Sequence, residues 1–75
     1  MNTIENTLLN QLVSLFSQIS RLETDLKTVT IFAWLAFKKR QKNELEKVLA
    51  ERKEILRKLW SLSKEFHEKS ESLPA

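Results

Sequence analysis

One histidine and one glutamate come nearest to a metal site in this sequence. His67 and Glu71 stand four positions apart, a spacing that places both side chains on one face of a helix. A zinc ion takes three or four protein ligands, and the 75 residues hold no second histidine and no cysteine to add to this pair. We therefore expect no metal site and interpret His67 as a surface histidine.

The sequence also lacks several features of small catalytic sites. The sequence has no cysteine nucleophile, only one histidine, and no glycine for the sharp turn that exposes a nucleophile. Glycine is also the usual residue of phosphate-cradling loops and tight hairpin turns, so a nucleotide loop and a β-rich fold are disfavoured. We expect no catalytic residue and no cofactor, and predict that the chain is not an enzyme.

A cluster of basic residues offers a second chemistry, the binding of anions. The cluster, called the basic tip below, consists of Lys38, Lys39, Arg40 and Lys42. Residues 1–37 carry two basic and three acidic residues, a net charge of −1. The whole chain has a net charge of +3, so residues 38–75 carry +4. Such a patch can attract nucleic acid, anionic lipid headgroups or an acidic partner. The same charges also stabilise a helix C-terminus and keep a turn soluble, so both interpretations stay open.

Two stretches show the apolar spacing of a coiled coil, with intervals that alternate between four and three residues. The first consists of Leu8, Leu12, Leu15, Ile19, Leu22, Leu26, Val29, Ala33 and Ala36. The second consists of Leu45, Val48, Arg52, Ile55, Leu59, Leu62 and Phe66. These residues are called the seam below. Its one polar member, Arg52, either sets the register or packs its stem while the guanidinium turns to Glu51 or solvent.

The basic stretch 38–42 separates the two apolar patterns and is where we place the connection. Asn43 and Glu46 form a variant of the capping box, which predicts that the second helix starts there. Folding the chain near residue 40 brings Ile19 opposite Leu62, whereas folding it at residues 28–30 would place leucines opposite charged residues. One uninterrupted helix, paired with another chain, stays as an alternative because no glycine or proline forces a turn.

The sequence therefore predicts an all-α fold, an antiparallel, coiled-coil-like helical hairpin. We expect one domain over residues 1–69, with helices at 3–38 and 44–69 and a basic turn at 39–43, followed by a flexible tail at 70–75. Two helices alone bury little apolar surface for the number of residues that they order. We expect dimerisation or a partner to complete a helical bundle.

Large apolar residues outside the seam indicate where that partner would bind. They are Leu9, Val13, Phe16, Trp34, Phe37, Leu49, Leu56 and Trp60. Each helix thus has an apolar surface that is wider than a hairpin requires. We predict that these residues form a partner interface, with the two tryptophans as its main anchors. The alternative is that the tryptophans are isolated exposed aromatics that cover the hairpin's own core.

These observations favour a small non-enzymatic interaction protein, such as an adaptor, a co-chaperone or a regulatory subunit. It would form a homo-oligomer or bind a helical protein. Binding of nucleic acid or an anionic surface through the basic tip is the alternative, and a subunit that shares an active site with other chains is a third. We expect no transmembrane segment, since no apolar run reaches about 20 residues. The absence of cysteine favours a cytoplasmic location.

Overall fold

Two long helices make up most of the computed structural model, which describes residues 3–73. The first helix, α1, spans Thr3–Lys38, and the second, α2, spans Lys42–Glu71. The described residues contain no strand. Helix α2 runs back along α1, and the Cα atoms occupy 57 × 15 × 15 Å. The predicted all-α antiparallel hairpin is confirmed, and the uninterrupted helix is wrong.

The burial pattern follows the seam along both helices. Every seam residue is buried or half-buried, whereas the positions between seam residues are exposed over most of the hairpin. The most buried seam residues are Leu12, Leu15, Ala33, Ala36 and Val48. The alternating spacing keeps one stripe of each helix turned towards the other, and this stripe is the apolar core.

Two hydrogen bonds between the helices fix the register. Arg52 Nε donates to Thr30 Oγ1 at 3.1 Å, and Lys69 Nζ donates to Gln11 Oε1 at 3.4 Å. In the predicted register, Arg52 is one residue away from the position that faces Thr30. Lys69 is likewise one residue away from the position that faces Gln11. Both bonds therefore agree with a fold in which the chain turns near residue 40.

Arg52 is half-buried in the seam, and its hydrogen bond to Thr30 crosses to α1. The Nε–H group of Arg52 therefore donates to the facing helix instead of to Glu51 of its own helix. Because a shifted register would separate this donor from its acceptor, the contact supports the view that a polar seam residue helps to set the register.

A Schellman motif without glycine makes the connection between the helices. Arg40 has a φ of 57°, in the left-handed region. The Arg40 amide donates to the Phe37 carbonyl at 3.0 Å, and the Gln41 amide to the Ala36 carbonyl at 2.9 Å. These two bonds satisfy the last carbonyls of α1 and reverse the chain within a few residues.

The start of α2 differs from the sequence prediction. The helix begins at Lys42, two residues before the expected Glu44, and its N-cap is Gln41, which makes no capping bond with its side chain. The Leu45 amide donates to the Gln41 carbonyl at 2.9 Å, so Asn43 already lies inside the first turn. The predicted cap at Asn43 is wrong because the Schellman motif turns the chain into α2 directly.

The end of α2 also lies further along the chain than expected. Ser70 and Glu71, placed in a flexible tail from the sequence, belong to the helix. Beyond them the Ser72 amide donates to the Lys69 carbonyl at 3.1 Å and terminates the last turn. Of the predicted domain and tail, residues 1, 2, 74 and 75 lie outside the described residues.

Arg40 adopts a backbone conformation that glycine reaches without steric cost. We expect Arg40→Gly to be more stable than Arg40→Ala by about 1 kcal/mol, since both remove the charge and only glycine relieves the left-handed residue. Urea unfolding followed by circular dichroism measures the difference. Equal stability of the two variants would contradict the assigned connection.

The register predicts that Ile19 and Leu62 are neighbours across the hairpin. The chain has no native cysteine, so cysteines at these two positions should form a disulfide within one chain on mild oxidation. The control places cysteines at Ile19 and Leu59, one layer further along the seam, where the separation is too great. Non-reducing electrophoresis separates the products, and preferential bridging of the control pair would show that the register is shifted.

Candidate interaction surface

The predicted interface residues share one position relative to the seam. Each one directly follows a seam residue in the chain, so all lie on the same side of their helix. In an antiparallel pair, these sides of the two helices adjoin, and the Arg52–Thr30 hydrogen bond crosses between them. We call the combined surface the apolar face, and it comprises Leu9, Val13, Phe16, Trp34, Phe37, Leu49, Leu56 and Trp60.

All eight side chains of the apolar face are exposed. Trp60 exposes 70% of its surface, Phe16 63% and Trp34 60%. By contrast, the seam residue Ala36 exposes only 3%. The hairpin therefore buries its seam and leaves a second, larger set of apolar side chains in contact with water.

A shallow groove lies at the end of the apolar face nearest the connection. Trp34 and Phe37 of α1 and Leu49 of α2 line it, with the small buried Ala33 and the seam residue Leu45 between the helices. The rings of Trp34 and Phe37 stack with their centroids 6.1 Å apart and their planes at 28°. The groove has apolar walls from both helices and is open to solvent, which suits an apolar side chain from another molecule.

Leu56 and Trp60 form the middle of the apolar face on α2. They stand one helical turn apart, and Lys64 lies a further turn along the helix. The Lys64 ammonium is 5.5 Å from the centroid of the Trp60 ring, within the range of a cation–π contact. This contact orients the indole while most of the ring stays accessible.

The opposite side of the hairpin is predominantly polar. There Arg57 and Glu54 form a close ion pair, with Nη2 and Oε1 2.6 Å apart. The hydrogen bond from Arg57 holds the pKa of the Glu54 carboxyl below its ordinary value. A groove on this side is lined by Gln18, Arg21 and Lys58, among others. Eight of the twelve large apolar side chains that are exposed among residues 3–73 therefore lie on the apolar face.

Two exposed apolar residues on that opposite side were not identified from the sequence. Ile4 is 77% exposed and Phe32 is 53% exposed. Phe32 directly precedes the seam residue Ala33, and this position marks the opposite side. The seam spacing could therefore have predicted that Phe32 lies on the opposite side of the hairpin. Ile31 and Leu35 are also exposed near the connection, so α1 carries apolar side chains around its whole circumference there.

The basic tip forms the end of the hairpin. Lys38 is the last residue of α1, Lys39 and Arg40 lie in the connection, and Lys42 opens α2. All four side chains are exposed, and none forms an ion pair within residues 3–73. The structure thus places a concentrated positive charge directly beside the groove of Trp34 and Phe37.

His67 and Glu71 are brought together as their spacing predicts, with Nε2 and Oε1 2.9 Å apart. Both side chains are exposed. Within residues 3–73, no cluster of three histidine, cysteine, aspartate or glutamate side chains is close enough to hold a metal ion. In that same part of the chain, neither helix is long and apolar enough to cross a membrane.

Comparison of the chain with protein-family models, with curated proteins and with solved structures finds no match. The case for a function therefore depends on the burial and charge of the described residues. Two surfaces stand out in those terms, the apolar face along the hairpin and the basic tip at its end.

The basic tip makes no core contact, so its charges can be removed without loss of packing. We expect the variant with glutamine at positions 38, 39, 40 and 42 to keep its helicity, with a change in unfolding free energy below about 0.5 kcal/mol. Circular dichroism and urea unfolding provide the measurement. Loss of helicity would show that these charges hold the connection together.

Proposed function

We propose that this chain is a small non-enzymatic protein–protein interaction module, of the kind that serves as an adaptor, a co-chaperone or a regulatory subunit. Its apolar face self-associates or binds a helical partner. The observation that carries this proposal is the one-sided exposure of eight large apolar side chains. Soluble monomers rarely expose an apolar patch of more than a few hundred Å² without a binding role.

The small core of the hairpin supports the same proposal. The buried apolar residues number five, two of which are alanines, and no side chain among residues 3–73 is fully buried. Burying a large apolar side chain stabilises by about 1.5–3 kcal/mol. Covering the apolar face therefore adds substantial stabilisation that the isolated hairpin lacks, and a four-helix bundle is the simplest assembly that provides it.

The spacing of the apolar face suits a helical partner. Leu9, Val13 and Phe16 follow the intervals of one helical stripe, as do Leu56 and Trp60. Parallel stripes on two adjoining helices accept the apolar stripe of a third helix by the same ridge and groove packing that joins α1 and α2. The two tryptophans and Phe16 would contribute most of the binding energy.

Anion binding through the basic tip is a second candidate. The observation that favours it is the set of four exposed cations, without ion pairs in the described part of the chain, at one end of the molecule. Titration with single-stranded DNA at several salt concentrations tests it, since the slope of affinity against salt follows the number of phosphate contacts. A slope near zero would exclude a role in which these charges hold phosphates.

The interaction proposal predicts a specific loss of association. Changing Leu56 and Trp60 to glutamine should weaken association by several kcal/mol, because buried aromatic residues dominate such interfaces. The matched control changes Ile4 and Phe32 to glutamine, which removes apolar side chains of similar exposure from the opposite side. Analytical ultracentrifugation and the concentration dependence of the melting temperature measure the effect.

We expect the control to associate as the parent chain does. A parent that is monomeric at every concentration, melts at a fixed temperature and binds no amphipathic helix would contradict the proposed function. A control that loses association as fully as the double variant would move the interface to the opposite side.

A further inference from the structure

We infer that the apolar face is covered by the apolar face of a second copy of this chain, with the two basic tips at opposite ends of the assembly. This inference rests on the proposed interaction function and identifies the partner. It follows from the order of apolar and charged residues along the face, which is complementary to itself when one copy is turned end for end.

Helix α1 shows this complementarity along its side of the face. Successive residues that follow the seam are Leu9, Val13, Phe16, Ser20, Glu23, Lys27, Thr30, Trp34 and Phe37. Apolar residues occupy both ends, and opposite charges occupy the middle. The arrangement is symmetric about the level of residue 25.

A second α1 that runs in the opposite direction about that level forms matched pairs. Phe16 meets Trp34 of the second copy, and Val13 meets Phe37. Glu23 meets Lys27 of the second copy, and the two-fold symmetry produces this ion pair twice. Apolar residues thus face apolar residues and opposite charges face each other over positions 13–37, whereas Leu9 lies level with Gln41 of the second copy.

Helix α2 supports the same axis independently. In the register of the hairpin, which the Arg52–Thr30 and Lys69–Gln11 hydrogen bonds support, the residue level with position 25 of α1 is Leu56. An axis chosen from the charges of α1 therefore passes through a large exposed leucine on α2, which meets its own copy. Trp60 then lies near Lys53 of the second copy, where a cation–π contact can form, and Leu49 lies level with Ser63.

The other face-to-face arrangement, with both tips at the same end, is much less favourable. It sets α1 against α2 of the second copy at the same level, so that Glu23 lies between Leu56 and Trp60 and Phe16 lies between Ser63 and His67. It also sets Lys27 against Lys53 and brings the two basic tips side by side. Like charges brought together across an interface suppress an arrangement, whereas the end-for-end arrangement separates the tips by the length of the hairpin.

Cysteine cross-linking distinguishes the two arrangements. In the proposed dimer, Leu56 lies on the two-fold axis, so Leu56→Cys should give a disulfide-linked dimer on mild oxidation. The matched control is Leu49→Cys on the same stripe. Its two copies would be roughly 20 Å apart along the helices at 1.5 Å per residue, too far for a disulfide. Equal cross-linking of the two variants, which the arrangement with both tips together would give because it keeps each residue level with its own copy, would overturn the inference, as would failure of Leu56→Cys to cross-link.

A charge exchange provides a second test that leaves the apolar residues intact. Glu23→Lys and Lys27→Glu each place like charges opposite each other in the homodimer, and each should raise the dissociation constant roughly ten-fold. A 1:1 mixture of the two variants should restore the parent affinity, because opposite charges face each other again between the different chains. Any effect within a single helix is not relieved by mixing, so recovery reports the contact between copies.

The outcomes separate this inference from the function on which it rests. Stronger dimerisation of Lys27→Glu, whose new carboxylate would face Lys53, supports the arrangement with both tips together and overturns the inference. The parent chain could also be monomeric and still bind a synthetic amphipathic Leu/Lys helix. If changing Leu56 and Trp60 to glutamine then abolishes this binding, the inference is overturned and the proposed function is kept. A monomeric parent that binds no such helix contradicts both.

Discussion

The packing of one seam against another is the constraint on which the whole molecule depends. Intervals of four and three residues turn one stripe of each helix inward, and the antiparallel register follows from matching the two stripes. Small residues at Ala33 and Ala36 let the helices approach closely where the chain reverses. Once this contact is fixed, every other residue has its place, because its distance from the seam decides which side of the hairpin it occupies.

Most of the fold could be predicted from the sequence because the seam is a repeating signal over nearly the whole chain. The residues predicted for the seam are those that the structure buries, and Ile31, Trp34 and Phe37 are exposed as their positions require. The composition of the candidate surface was also accessible, since each of its residues follows a seam residue. What the sequence did not reveal directly is that the stripes of the two helices adjoin, which depends on the antiparallel pairing.

The details at the connection could not be predicted because they depend on backbone geometry that leaves no mark in the residue types. A left-handed residue at the end of a helix is usually glycine, and here Arg40 adopts that conformation. The capping pattern at Asn43 is genuine as a local preference, yet the hydrogen bonds of the Schellman motif start α2 earlier. The partner of Arg52 was likewise undetermined, because a long side chain in a seam can reach several acceptors and the structure selects Thr30.

Affinity and orientation have separate origins in the proposed assembly. Apolar stripes would stabilise contact between two hairpins in several arrangements, because the hydrophobic effect has no direction. Orientation comes instead from the few charged residues among those stripes and from the basic tip, since like charges brought together by the wrong arrangement oppose it. Glu23 and Lys27 add little stability as exposed pairs, but they interrupt the apolar stripe at its centre, where a two-fold axis would make each interaction occur twice. The interruption that weakens the apolar stripe is therefore also the feature that gives it a direction.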